Sequence, residues 1–172
     1  NFHFSEDYDL YPSGAKTKYK NNVMAIKLLK QIELEKRTAT PEEQIILARY
    51  VGWGGLANAF SSTASGWENE YQELKSLLTD VEYKAAMNST ITAYYTEPDL
   101  IRHIYRALER FGFEGGPDRK ILDPGMGTGN FYSVLPEQFQ GSKLFGVELD
   151  SITGRIAKQL YPDADISITG YE

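Results

Sequence analysis

The residues best suited to chemistry in this 172-residue chain lie in Ile121-Leu122-Asp123-Pro124-Gly125-Met126-Gly127-Thr128-Gly129-Asn130-Phe131. An apolar strand closes on an acid, glycines stand at alternate positions, and a helical pattern begins. Glycine lets the backbone approach a ligand with no Cβ in the way and permits positive φ. A helix start offers free N–H groups to a carboxylate or phosphate. Twenty-five residues after Asp123, a second strand-like run, Leu144-Phe145-Gly146-Val147-Glu148, also closes on an acid. A carboxylate in that place can accept both hydroxyls of a ribose.

The glycine spacing discriminates between ribose-bearing ligands. A dinucleotide loop reads G-x-G-x-x-G. Here the order is G-x-G-x-G, and Asn130 stands where the last glycine is expected. Asp123 at the mouth of the loop repels a diphosphate and attracts an ammonium. S-adenosylmethionine, with its amino group, sulfonium and ribose, fits an acid before the glycines and another after the next strand. That cofactor is favoured over NAD. The alternative that the glycines only make a tight turn leaves the two acids unexplained. A P-loop is excluded, because no Gly-Lys-Ser/Thr follows.

Elements that could position these residues follow from periodicity. Residues 1–15, with Tyr8, Tyr11, Pro12 and Gly14, read as an irregular arm. Val23, Ile26, Leu29 and Ile32 predict a helix over about 17–37. A second helix is expected from Thr40, Pro41 and Glu43 to about Val51, then a break at Gly52-Trp53-Gly54-Gly55 and a short turn through Phe60. A third is expected over 67–78, a fourth from Thr79 with Glu82, and a fifth after Thr96-Glu97-Pro98-Asp99. Beyond Gly115-Gly116-Pro117, strands near 119–123, 144–148 and 165–169 alternate with helices at about 129–136 and 151–160, the latter capped by Asp150 or Ser151. The expected fold class is α/β: a helical N-terminal region, 1–90, then a parallel Rossmann-like sheet of three strands in 91–172.

Composition bounds the function. The net charge of −6 argues against coating nucleic acid by bulk charge. With no cysteine and only His3 and His103, neither a disulfide framework nor a zinc centre is available. No apolar run is long enough to span a bilayer. The start, Asn1-Phe2-His3-Phe4, lacks an initiating Met and a signal core, which suggests an excised fragment of a bacterial cytoplasmic protein. Charge concentrates locally. Lys16, Lys18, Lys20, Lys27, Lys30, Lys36 and Arg37 give residues 14–37 a net of +5. That run reads first as a solvated helix face and second as a surface for DNA phosphates. Trp53 and Trp67 suit interdomain packing better than base stacking, and His103 is read as a surface residue.

Residues Asp123 to Phe131 resemble the first cofactor motif of S-adenosylmethionine-dependent methyltransferases. Ala93-Tyr94-Tyr95-Thr96-Glu97-Pro98 resembles the segment before that motif in N(6)-adenine DNA methyltransferases of the gamma motif order. Over about residues 15–172 the chain is similar to the N-terminal part of large methyltransferase–helicase proteins of bacterial conjugative elements. Thr40 to Phe60 and Gly146 to Pro162 carry that likeness. The resemblance implies that Asp123 holds the cofactor's amino group and that Gly125, Gly127 and Gly129 lie under its methionine moiety. Asn130, in the same loop, is expected to bind the cofactor as well. Tyr95 and Thr96 would close over that end, Glu148 would take the ribose hydroxyls, and Leu149 would pack on the adenine. Two departures stand out: Glu97 separates Thr96 from Pro98, and the third strand ends Ile168-Thr169-Gly170-Tyr171-Glu172 without an Asp for the adenine amino group.

Adenine's amino nitrogen is a poor nucleophile, because its lone pair is delocalised into the ring. The resembled enzymes hold it with an Asn/Asp-Pro-Pro-aromatic loop, which supplies positioning and electrostatic help. This chain has no Pro-Pro pair. The expectation is therefore a cofactor half-site without methyl transfer of its own and without a metal. Its implied partners are DNA, the remainder of a methyltransferase–helicase chain, and a second copy through an exposed sheet face, with no membrane. Methylation of RNA, protein or a small molecule is an alternative. So is a non-catalytic DNA- or partner-binding module with a vestigial pocket.

Overall fold

Two of the four N-terminal helices start on side chains that accept free backbone N–H groups. In the computed structural model of the protein, which describes residues 1–11, 13–93 and 95–171, α1 runs Ala15–Leu34 and α2 Pro41–Ala48. Helix α3 spans Glu68–Leu77 and α4 Asp80–Ser89. Thr40 and Thr79 each accept from the backbone N–H three residues on, and Glu43 and Glu82 close both capping boxes. Helices α1 and α2 end sooner than their apolar stripes suggest, at Leu34 and Ala48. Lys36 turns the chain with φ +52°, which no helix continues.

The chain divides into two compact units, residues 9–94 and residues 1–8 with 95–172. The first eight residues thus fold with the α/β elements and not with the helices that follow them. Pro12, Tyr94 and Glu172, each named in the sequence reading, lie outside the described residues.

In the helical unit, α1 is the spine, burying Tyr19, Asn22, Val23, Ala25, Ile26, Leu29 and Ile32. Asn22 carries the polar bookkeeping of the Gly-Trp-Gly-Gly turn. Its Nδ2 donates to the Gly52 carbonyl at 2.6 Å, and its Oδ1 accepts the Val51 N–H at 2.9 Å. Trp53 is buried edge-on to Tyr50 and Phe60, with ring centroids 6.4 and 5.2 Å away. Trp67 stands edge-on to Tyr19. Among the described residues, the ring partners of both tryptophans belong to this unit, and their role there is core packing rather than the interdomain packing expected for them.

The α/β unit begins with α5, Pro98–Arg110, and then β1, Lys120–Asp123. A four-residue helix α6, Asn130–Ser133, follows, then β2, Lys143–Glu148, α7, Ser151–Leu160, and β3, Asp165–Ile168. Helix α6 stops short of the expected 136 because Pro136 disfavours a helical conformation at Leu135. The Thr96 capping signal is also corrected: Glu97 occupies the cap position of α5 and makes no side-chain bond there. Asp150 caps α7, accepting the Thr153 N–H at 2.8 Å.

The protein is thus mixed α/β, with a parallel sheet in the order β1-β2-β3. Register pairs Asp123 with Gly146 and Glu148 with Ile168, so Ile121, Asp123, Gly146, Glu148 and Ile168 project to one face. Ile121 joins the cluster of Ile101, Tyr105 and Phe139 on that face, and Gly154 of α7 lies against Ile168 and Glu148. Leu122, on the opposite face, is 50% exposed. Residues 1–8 run as a strap over the helices. The Phe2 N–H donates to Leu160, the last residue of α7, at 2.7 Å, and the Phe4 N–H to Ser133, the last of α6, at 2.8 Å. Arg102 of α5 stacks on Phe4.

Candidate functional site

Parallel strands put their C-terminal ends on one sheet edge, and both acids stand there. Asp123 ends β1 and Glu148 ends β2, two residues past the partner of Asp123. The loop 124–129 crosses between them. Asp123 Oδ1 accepts the Gly125 N–H at 3.3 Å, and Glu148 Oε2 accepts the Gly127 N–H at 2.9 Å. Glu148 Oε1 takes the Asp150 N–H at 2.8 Å.

Burial pushes both carboxyls up from the ordinary carboxylate range, against the opposing pull of those N–H groups. Among the described residues no lysine, arginine or histidine forms an ion pair with either. Two half-buried acids without a cation beside one glycine loop make an arrangement that a cationic ligand would complete.

The glycines have separate jobs. Nothing stands within 4 Å of the place where a Cβ on Gly125 would be, so this glycine borders open space. Gly127, with φ +55°, lies under the ring of Tyr95, and Gly129, with φ +87°, lies under the ring of Tyr161. A Cβ at either position would enter an aromatic ring, so these two serve close packing as well as the turn. Met126 is buried with its sulfur on Gly146, and its N–H donates to Val147 at 3.1 Å. Its side chain therefore covers the floor between the two acids.

The other sequence-predicted residues gather around this loop. Tyr95 and Thr96 lead into α5 outside any regular element, and Asn130 Nδ2 donates to the Thr96 carbonyl at 3.0 Å. Leu149 follows Glu148 at the surface, 76% exposed. Met126 and Tyr161 were not among the expected residues. Met126 lies inside the motif, but its place on Gly146, like that of Tyr161 on Gly129, depends on the folded sheet and carries no local signal. A pocket of about 280 Å³ runs along β1 and takes in Asp123 and Pro124 at its end, with Ile104, Leu108, Leu122 and Phe131 among its walls.

His103 is exposed, and its Nδ1 lies 2.6 Å from the Asp99 carbonyl. The basic residues of α1 are largely engaged within the helical unit. Lys16 pairs with Glu70 at 2.6 Å, Lys27 with Glu73 at 2.7 Å and Lys30 with Glu82 at 2.9 Å. Among the described residues no group of His, Cys, Asp and Glu could hold a metal, and no helix is long and apolar enough to cross a membrane.

Comparison with known proteins gives a distant relative. The chain is similar to "Defense against restriction protein B" of Escherichia phage P1, 25% identical over 151 residues. The match covers 88% of this chain and 5% of the phage protein. No family model matches, and no solved structure matches.

Proposed function

We propose that the chain is the cofactor-binding portion of an S-adenosylmethionine-dependent DNA N(6)-adenine methyltransferase of the methyltransferase–helicase type carried by mobile elements. One observation carries this reading: two half-buried carboxylates, without cation partners, end adjacent parallel strands and hold the glycine loop between them by its N–H groups. An acid before the loop suits the cofactor's ammonium, and an acid after the second strand suits its ribose. Gly125 leaves room for the ligand. Asp123, Glu148 and the 125–129 backbone would bind and orient it, Tyr95 and Thr96 would wall the methionine end, and Leu149 would meet the adenine. When bound, the cofactor supplies an electrophilic methyl group. The chain contains no Asn/Asp-Pro-Pro-aromatic sequence to hold a target amine. The phage relative's name speaks of defence against restriction, and DNA methylation is one chemistry compatible with that name.

Titration calorimetry with S-adenosylhomocysteine tests the reading. Binding by the parent, lost in Asp123→Ala and in Glu148→Ala, is expected; no binding by the parent overturns it. Labelled-donor turnover on adenine-containing DNA should be absent from this chain alone. A second reading, a binding module with a vestigial pocket, is favoured by the Met126 sulfur on Gly146 and by Glu148, whose two oxygens already accept N–H groups. Salt-dependent affinity for duplex DNA without cofactor affinity would select that reading.

A further inference from the structure

We propose that Asn130 is a positioning residue for the candidate cofactor site: its side-chain amide holds the Tyr95-Thr96 segment across the glycine loop. This rests on the cofactor reading above. The contact joins residues 34 apart in sequence, Asn130 Nδ2 donating to the Thr96 carbonyl at 3.0 Å. Asn130 opens α6 directly after Gly129, whose left-handed conformation turns the chain into that helix. The amide is thus fixed by the loop it serves.

Two contacts and one buried residue fix the lead to α5. The Tyr95 ring rests on Gly127, the Thr96 carbonyl takes the Asn130 amide, and Pro98 is buried as the first residue of α5. Gly127 is held from the other side by Glu148. The wall and the floor of the site are therefore tied to each other before any ligand arrives, and a preorganised wall reduces the ordering cost of binding. Asn130 does this through the Thr96 carbonyl. The role depends on a donor: a carboxylate at the same place would face the carbonyl oxygen with acceptors only.

The test uses Asn130→Asp, Asn130→Ala and Asn130→Gln, with two readouts on each folded variant. Amide hydrogen exchange of peptides covering 95–101 reads the tether, and calorimetry with S-adenosylhomocysteine reads the site. The expected result is exchange about tenfold faster and affinity about tenfold weaker in Asn130→Asp and Asn130→Ala. Asn130→Gln, which keeps an amide donor, should recover most of both. Unchanged exchange in the Asp and Ala variants overturns the tether whether or not ligand binds. Faster exchange with unchanged affinity overturns the positioning role. A parent chain that does not bind overturns the cofactor reading and the positioning role with it, while the exchange result still decides the tether. Should Asn130→Asp fail to fold, the Ala and Gln pair carries the same comparison.

Discussion

Asp123 and Glu148 set stability against binding. Each carboxyl is raised by burial, so the native state holds its proton to a higher pH than the unfolded chain does. Stability therefore falls as pH rises from the ordinary carboxylate range through the raised values, and the cost persists above them. A cationic ligand needs the ionised forms, so its affinity should climb over the same window. Asp123→Asn is expected to raise stability at pH 7 by up to about 1 kcal/mol while abolishing S-adenosylhomocysteine binding. Paired melting and calorimetry from pH 4 to 8 check both signs. At Gly127 the constraint is steric. Gly127→Ala puts a methyl into the Tyr95 ring at a backbone with φ +55°, and a loss of about 1–3 kcal/mol is expected in denaturant titration. Adding Tyr95→Ala should restore the part due to the ring and leave the part due to the backbone.

Helices and strands show where local sequence was sufficient and where it was not. Thr40 and Thr79, each with Glu three residues on, announced their helices, and both boxes formed. Thr96 carries the same residue type but not the same role, because Pro98 opens α5 and puts Glu97 at the cap position, while the Thr96 carbonyl accepts the amide of Asn130, far away in the chain. Thr79→Ala should cost about 1 kcal/mol in urea, and Glu97→Ala, which removes no cap bond, close to nothing. The strand ends at Asp123 and Glu148 were legible because an apolar run closing on an acid is a local pattern. That Tyr161 would cover Gly129, or that Met126 would lie on Gly146, was not, since each contact needs the folded sheet. The shortness of α6 is a local effect of Pro136.

Charge on the scale of the molecule misleads when read along one helix. The basic run of α1 resembles a nucleic-acid surface, yet Lys16, Lys27 and Lys30 meet Glu70, Glu73 and Glu82. Replacing those three lysines with Gln should lower the melting temperature of the helical unit in dilute salt and leave the salt slope of any DNA affinity unchanged. A slope reduced by about three would place those side chains on phosphates instead. The strap of residues 1–8 supplies a different lesson. Its Phe2 N–H meets Leu160 near the other end of the chain. During synthesis residues 1–8 must wait, undocked, until the whole helical unit and α7 have emerged. The α/β unit therefore closes on its first residues only after the helical unit has been made, and the helices encoded between its two pieces have time to fold first.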